Sequence, residues 1–308
     1  MSPARAACGR RVAPLRRAAA AATVFVLLVT GCGDPEPVSA ERYAEPDGLF
    51  AILDQNVATS DTLEKIVDID HSRLGAEAGS VMPPAKVLIF SSPEFEAELL
   101  AINPLVAIDL PLRVLAYESV TDGSSRIAFN SFEYLQSRYG LGDLIELEAV
   151  FDDSMAAVLR GVGQENLTPF SNDVMQPDGI NTLDSPYDFE TTVQRLTAAI
   201  DAQDDTVWFG TVDFQARAQE QGIEIGPSRL LLFGGPAPGA KAMAEAPTLG
   251  LDAFCQKLLV WQDEQGAVKV SFNDLLALAE RQGARKSPAL RVINYRVAST
   301  FESALESE

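Results

Sequence analysis

Pro84-Ala85-Lys86-Val87-Leu88-Ile89-Phe90-Ser91-Ser92-Pro93 returns 143 residues later as Pro227-Ser228-Arg229-Leu230-Leu231-Leu232-Phe233-Gly234-Gly235-Pro236. Each version is a short apolar run that enters a tight turn and then meets a proline, the signature of a strand followed by a helix start. In the same register Ala97, Ala101, Pro104 and Asp109 fall on Ala240, Ala244, Pro247 and Asp252. Residues 69–111 share eleven identities with their counterparts over forty-three positions, where unrelated sequence of average composition gives about three. The register then slips by one, placing Arg113 on Lys257, and recovers. Gly123, Phe129, Asn130, Leu135, Arg138 and Gly140 meet Gly266, Phe272, Asn273, Leu278, Arg281 and Gly283. A register lost and regained, with apolar positions kept, means two copies of one fold.

Working outward, both copies read alike. Residues 94–102 and 239–246 have helical spacing. Residues 113–117 with 126–130, and 257–261 with 268–273, are strand pairs closed by Thr121-Asp122-Gly123 and by Asp263-Glu264-Gln265-Gly266, hence hairpins. Residues 132–139 and 275–282 return to helical spacing, and 144–159 continue as an amphipathic helix. Asp188 reads as the N-cap of a helix reaching Ala202, with a strand over 206–212. Hairpins joined to helices predict an α+β fold: two tandem repeats of a two-layer domain, with helices packed on one face of a mainly antiparallel sheet. The expected organisation is a signal segment over 1–31, a tether over 32–45, a first repeat over 46–160, a linker over 161–181 and a second repeat over 182–305.

The N-terminus is an address. Residues 1–31 contain Arg5, Arg10, Arg11, Arg16 and Arg17 and no acid, then an apolar run from Ala18 to Val29, then Thr30-Gly31-Cys32. A basic region, a short apolar region and small residues before a cysteine form a secretory signal, and twelve apolar residues fall short of the roughly 20 of a spanning helix. The segment resembles a bacterial lipoprotein signal, which implies lipidation at Cys32 and a membrane anchor outside the cytoplasm. Gly33-Asp34-Pro35-Glu36-Pro37-Val38-Ser39 reads as a polar tether.

Charge and cysteine count fit an exported, anchored chain. The 308 residues carry 24 Lys+Arg against 44 Asp+Glu. Losing the signal leaves 19 basic residues against the same 44 acids, so the mature part repels anionic headgroups and is held by its acyl chains. No electrostatic footprint for nucleic acid exists. Of three cysteines only Cys255 remains unassigned, which leaves no disulfide framework and reads as a small buried hydrophobe.

The paired blocks also carry a family resemblance. Val87-Leu88-Ile89-Phe90-Ser91-Ser92-Pro93, the downstream Asn103-Pro104, Asp109-Leu110-Pro111, and Asp70-His71 ahead of the first block are similar to the motifs of the family catalogued as domain of unknown function 302. The second copy matches more weakly and has Asp213-Phe214 where the first has Asp70-His71. The resemblance implies helices on one face of an antiparallel sheet and no established activity.

The candidate sites follow from these positions. His71, the one histidine, reads either as a general base or a metal or haem ligand oriented by Asp70 or Asp109, or as a residue that caps or packs at a strand-to-helix turn. The second is simpler, because nothing supplies another strong ligand. Asp109 and Asp252 read either as acceptors of backbone N–H groups in the bend before each hairpin or as marks of a site; with Pro111 beside Asp109 the bend is the simpler reading. Phe90, Ser91, Ser92, Phe233, Gly234 and Gly235 are the candidate ligand-binding positions, at the two repeated turns. A phosphate loop is absent there: Ala240 separates Gly239 from Lys241, and Ala242 has no hydroxyl. No cofactor, metal site or assembled catalytic set is expected. The sequence therefore favours a non-enzymatic cell-envelope lipoprotein that binds a small ligand or an envelope protein. The alternative is an enzyme or a redox or metal-binding protein using His71.

Overall fold

Short runs of apolar residues, each broken by a turn signal, set the strands. The structure, a computed structural model, describes residues 37–171 and 179–306. The signal segment, Cys32 and the start of the tether lie outside the described residues.

The first sheet contains β1 (Glu64–Asp70), β2 (Ala85–Ser91), β3 (Leu112–Glu118), β4 (Ser125–Asn130) and β5 (Leu167–Phe170), adjacent in that order. The second contains β6 (Ile180–Asp184), β7 (Val207–Asp213), β8 (Ser228–Gly234), β9 (Gln256–Gln262) and β10 (Val268–Asn273), in the order β6-β10-β9-β8-β7. All neighbours are antiparallel except β4 and β5. The duplicated register is visible in the ladders: Val87 faces Leu115 across β2 and β3, and its counterpart Leu230 faces Leu259 across β8 and β9. Both hairpins turn at a glycine with positive φ, Gly123 at 72° and Gly266 at 79°, a conformation costly for any side chain with a Cβ.

The first repeat holds the helices α1 (Ala40–Ala58), α2 (His71–Glu77), α3 (Pro93–Ile102), α4 (Phe132–Tyr139) and α5 (Ile145–Val158). The second holds α6 (Phe189–Asp201), α7 (Phe214–Glu220), α8 (Pro236–Met243), α9 (Leu275–Arg281) and α10 (Pro288–Leu305). Their starts are fixed by side chains that take up orphan N–H groups. Asp70 and Asp213 accept from Arg73 and Ala216 at matching positions, and Ser131 and Asp274 cap α4 and α9.

Each sheet has two buried faces. On the outer face of the second sheet, Phe189, Val193, Leu196 and Ile200 of α6 and Phe301 and Leu305 of α10 cover Leu231, Phe233, Leu258 and Val260. On its inner face, Leu230, Leu232 and Leu259 join one core with the first repeat. The inner face of each sheet receives a short 3-10 turn from the other repeat: Pro247–Gly250 packs on β2 and β3, and Pro104–Ile108 packs on β8, β9 and β10. Helix α2 packs on α8, and their counterparts α7 and α3 pack on each other. The two-layer α+β repeats therefore meet face to face, related by an approximate twofold, and each closes the other's core.

Two boundaries differ from the sequence reading. Residues 40–45 of the expected tether are helical, because α1 begins at Ala40 and buries Phe50, Leu53 and Val57 at helical spacing against the first sheet. The expected linker is also part of the fold. Leu167-Thr168-Pro169-Phe170 forms edge strand β5, where a proline is tolerated because one side of an edge strand needs no N–H. Ile180 already begins β6.

Candidate functional site

The repeated polar residues converge on the seam between the repeats. Alternation along β3 turns Arg113 and Leu115 to the inner face, and the same alternation along β9 turns Lys257 and Leu259 inward. Asp109 and Asp252 follow the two 3-10 turns that cross the seam. Arg138 and Arg281 come from the last turns of α4 and α9.

Asp109 accepts from Arg138 Nη1 at 2.6 Å and from the Tyr139 hydroxyl at 2.7 Å. Asp252 accepts from Arg113 at 3.3 Å across the seam, from the Asn130 amide at 3.1 and 3.2 Å, and from Arg281. Arg138 reaches across to the Asn273 side-chain oxygen at 2.6 Å, and Arg281 reaches across to that of Asn130 at 2.9 Å. Lys257 Nζ sits 3.9 Å from an oxygen of each aspartate. Burial opposes ionisation of Asp109, but the Arg138 and Arg113 guanidiniums outweigh it and hold the carboxyl below the usual range. Burial likewise pushes the Tyr139 hydroxyl well above its ordinary value. A buried pair of this kind adds little net stability, since desolvation offsets most of the attraction.

This corrects the reading of Asp109 and Asp252 as backbone-bonding bend residues. Their partners are arginines, lysine, tyrosine and asparagine, most of them from the other repeat or from a distant helix.

His71 is the first residue of α2 and is buried. Its Nε2 is 3.0 Å from the Gly250 carbonyl of the second repeat. Burial pulls its pKa down to about 4, against the raising effects of that carbonyl and of Asp70. The imidazole is neutral at pH 7. Asp70 does not bond to it: the carboxylate caps α2 and accepts from Ser72 Oγ at 2.8 Å. Asp109 spends its hydrogen bonds on Arg138 and Tyr139.

His71 and Leu74 of the first repeat line one narrow cleft with Phe209, Gly234, Gly235, Met243, Phe254 and Cys255 of the second. The fold thus brings His71 together with two of the predicted ligand-binding positions. Its counterpart across the twofold holds Ser91 and is filled. Ser91 Oγ donates to Glu96 Oε2 at 2.6 Å, and Arg217 of the second repeat donates to Ser91 Oγ at 2.8 Å and to Glu64 at 2.7 Å. Burial pushes the Glu96 carboxyl up to about 7, against the lowering effect of Ser91. Ser92 accepts from Ser154 at 3.1 Å. Phe90 and Phe233 are core residues of β2 and β8. Cys255 is buried, and burial pushes its thiol up to about 12, so it stays protonated.

Sequence reasoning missed Glu96, Arg113, Arg217 and Lys257 as site residues. It met Asn130, Arg138, Asn273 and Arg281 only as markers of the repeat. Identical polar residues in two diverged copies, amid otherwise apolar identities, were the available signal. Among the described residues no group of three or more His, Cys, Asp or Glu side chains could hold a metal ion. No described helix is long and apolar enough to cross a membrane.

Three curated relatives, fluoride-specific ion channels of Brucella suis, Brucella abortus and Brucella melitensis, are 34% identical over 103 residues. That stretch is 33% of this chain and 37–40% of theirs, so the chain spans about two fifths of the length of the relatives it matches. A solved structure, described as an uncharacterized conserved protein DUF302 from Bacillus stearothermophilus, is 21% identical. It aligns with a TM-score of 0.35 over 42% of this chain and 96% of its own. The family described as "Domain of unknown function DUF302" matches residues 55–161 and again 181–307, and with both repeats and most of its length covered this chain belongs to that family as a tandem pair.

Proposed function

We propose that the chain is an exported lipoprotein of the cell envelope, anchored through Cys32, whose two repeats act together as one non-enzymatic module for a small ligand or an envelope partner. The observation that supports this reading is how the chemistry-bearing groups are used. The imidazole of His71 is tied to a backbone carbonyl, the Cys255 thiol is buried and protonated, and both aspartates kept in the two repeats are locked in buried ion pairs, Asp252 across the seam with Arg113 and Asp109 with Arg138 of its own repeat. A nucleophile, a base and an oxyanion donor are not assembled at any one point among the described residues. On this reading a small ligand would enter at the inter-repeat cleft lined by His71, Gly234 and Gly235, which at about 20 Å³ has to widen to take it.

Anchoring is tested by fractionation. In the parent chain an acyl mass on the N-terminal cysteine and recovery with membranes are expected. Cys32→Ser should abolish the acyl mass and move the protein to the soluble fraction. A variant that fractionates like the parent removes the lipoprotein reading.

A further inference from the structure

The donors and acceptors at the seam do not balance. Two carboxylates, Asp109 and Asp252, face four cationic side chains, Arg113, Arg138, Lys257 and Arg281, all nearly or fully buried. The formal excess is two positive charges. Hydrogen bonding tilts the same way. Among the described residues, buried and without a hydrogen-bond partner are Lys257 Nζ, Asn273 Nδ2 and the Nε atoms of Arg113, Arg138 and Arg281, against one such acceptor in the cluster, Asp109 Oδ1. Unpaired buried donors are costly, and each calls for an acceptor.

Two of these donors line a common cavity. Lys257 and Asn273 border a space of about 10 Å³ with Asp252, Phe233, Phe272 and Leu275, the size of a single water or an ion no larger. Asn273 uses its oxygen to accept from Arg138, so its amide nitrogen is the group left over. The Asp252 oxygens already accept from Arg113, Arg281 and Asn130. The equivalent cavity of the first repeat, bordered by Asp109, Arg113 and Asn130, is as small, but there only Arg113 Nε is left over: its two Nη atoms are spent on Asp252 and the Pro111 carbonyl, and the Asn130 amide on Asp252. Among the described residues, the second repeat alone brings an ammonium that makes no hydrogen bond and an unpartnered amide nitrogen to one point.

We propose that this cavity is a site for one small monatomic anion, a halide of about the size of water, for which fluoride fits better than chloride. Such an ion accepts from Lys257 Nζ and Asn273 Nδ2 together and removes one of the two excess charges. A water would fill the space but bring two more hydrogens to a point already rich in donors. This site is separate from the cleft and from the anchor proposed above, and it stands or falls without them.

The test measures the full chain at pH 7.5 and constant ionic strength in sodium fluoride, sodium chloride or sodium gluconate. Fluoride should raise the unfolding midpoint by a few degrees and saturate, as a ligand of the native state does, and the protein should broaden the 19F line of free fluoride. Lys257→Met should lose both effects. Lys257→Arg, which places in the second repeat the residue found at position 113, keeps the fold's own solution and should weaken both. Equal midpoints in fluoride and gluconate with an unbroadened line would overturn the site and leave a water there. An equal fluoride effect in Lys257→Met would overturn it as well, as a surface effect of salt. A chloride response matching that of fluoride would overturn the size assignment.

Discussion

Arg138 of the first repeat donates to the side-chain oxygen of Asn273 in the second at 2.6 Å. Arg281 returns the contact to Asn130 at 2.9 Å. Each arginine also holds the aspartate of its own repeat. The same residue pair is thus used twice in opposite directions, as in an isologous dimer interface, here within one chain. Its consequence is that neither repeat presents a finished surface alone.

Removing one charge from this cluster should therefore unfold more than a local patch. Asp109→Asn leaves Arg138 buried without its carboxylate, and a broken buried pair costs about 3–5 kcal/mol. Urea unfolding should shift to lower midpoint in one cooperative step seen by both a first-repeat and a second-repeat probe. Two separated transitions in the parent protein would show that the seam does not couple the repeats.

Close packing makes a second, sharper case. A Cβ on Gly75 of α2 would lie 2.4 Å from Ala240 Cβ of α8 and 2.9 Å from the Ser80 carbonyl oxygen, whereas a Cβ on Gly48 of α1 would meet nothing within 4 Å. The same change should have opposite signs. Gly75→Ala forces α2 and α8 apart and should cost about 1–3 kcal/mol. Gly48→Ala removes backbone freedom from the unfolded chain and should add roughly 0.5–1 kcal/mol. Thermal unfolding of the two variants checks both.

How much of this was legible follows from the range of each interaction. Strand, turn and helix at 85–102 and 228–243, both hairpins and the Asp188 cap are local patterns, and the structure places them within a few residues of the expected positions. Strand β5 was hidden because four residues with a central proline carry no periodicity; only the neighbouring β4 makes them a strand. The seam was hidden for a different reason. Asp252 finds Arg113 139 residues away and Arg138 finds Asn273 135 away, and no local rule reports such a pairing. Asp109 looked like a bend residue because Pro111 stands beside it, while its real partners are on α4.

The metal or redox alternative for His71 has a direct readout. With Nε2 on the Gly250 carbonyl and no cluster of further ligands among the described residues, the purified protein should be colourless and should carry the same trace metal content as His71→Gln. An absorption band or stoichiometric metal that disappears in the variant would restore that reading.

Two buried groups at the seam titrate in opposite directions, which fixes the pH dependence of stability. His71 is held at about 4 in the folded chain against 6.5 when exposed. Between these values the unfolded state binds the extra proton, so its contribution is complete above pH 6.5 and is lost as pH falls to 4, roughly 3 kcal/mol in all. Glu96, which faces Arg217 and Ser91 beside Glu64, is held at about 7 against 4.5. Here the folded state binds the proton more tightly, so stability present below pH 4.5 is lost as pH rises to 7, again roughly 3 kcal/mol. In the parent protein the two slopes oppose each other from pH 4.5 to 6.5 and leave a shallow profile. Single variants should separate them. His71→Gln, which keeps a donor for the Gly250 carbonyl, should be left with stability that falls as pH rises across that window, and Glu96→Gln with stability that rises. Urea midpoints at half-unit pH steps measure both slopes, and parallel profiles for the two variants would show that neither group titrates in the seam.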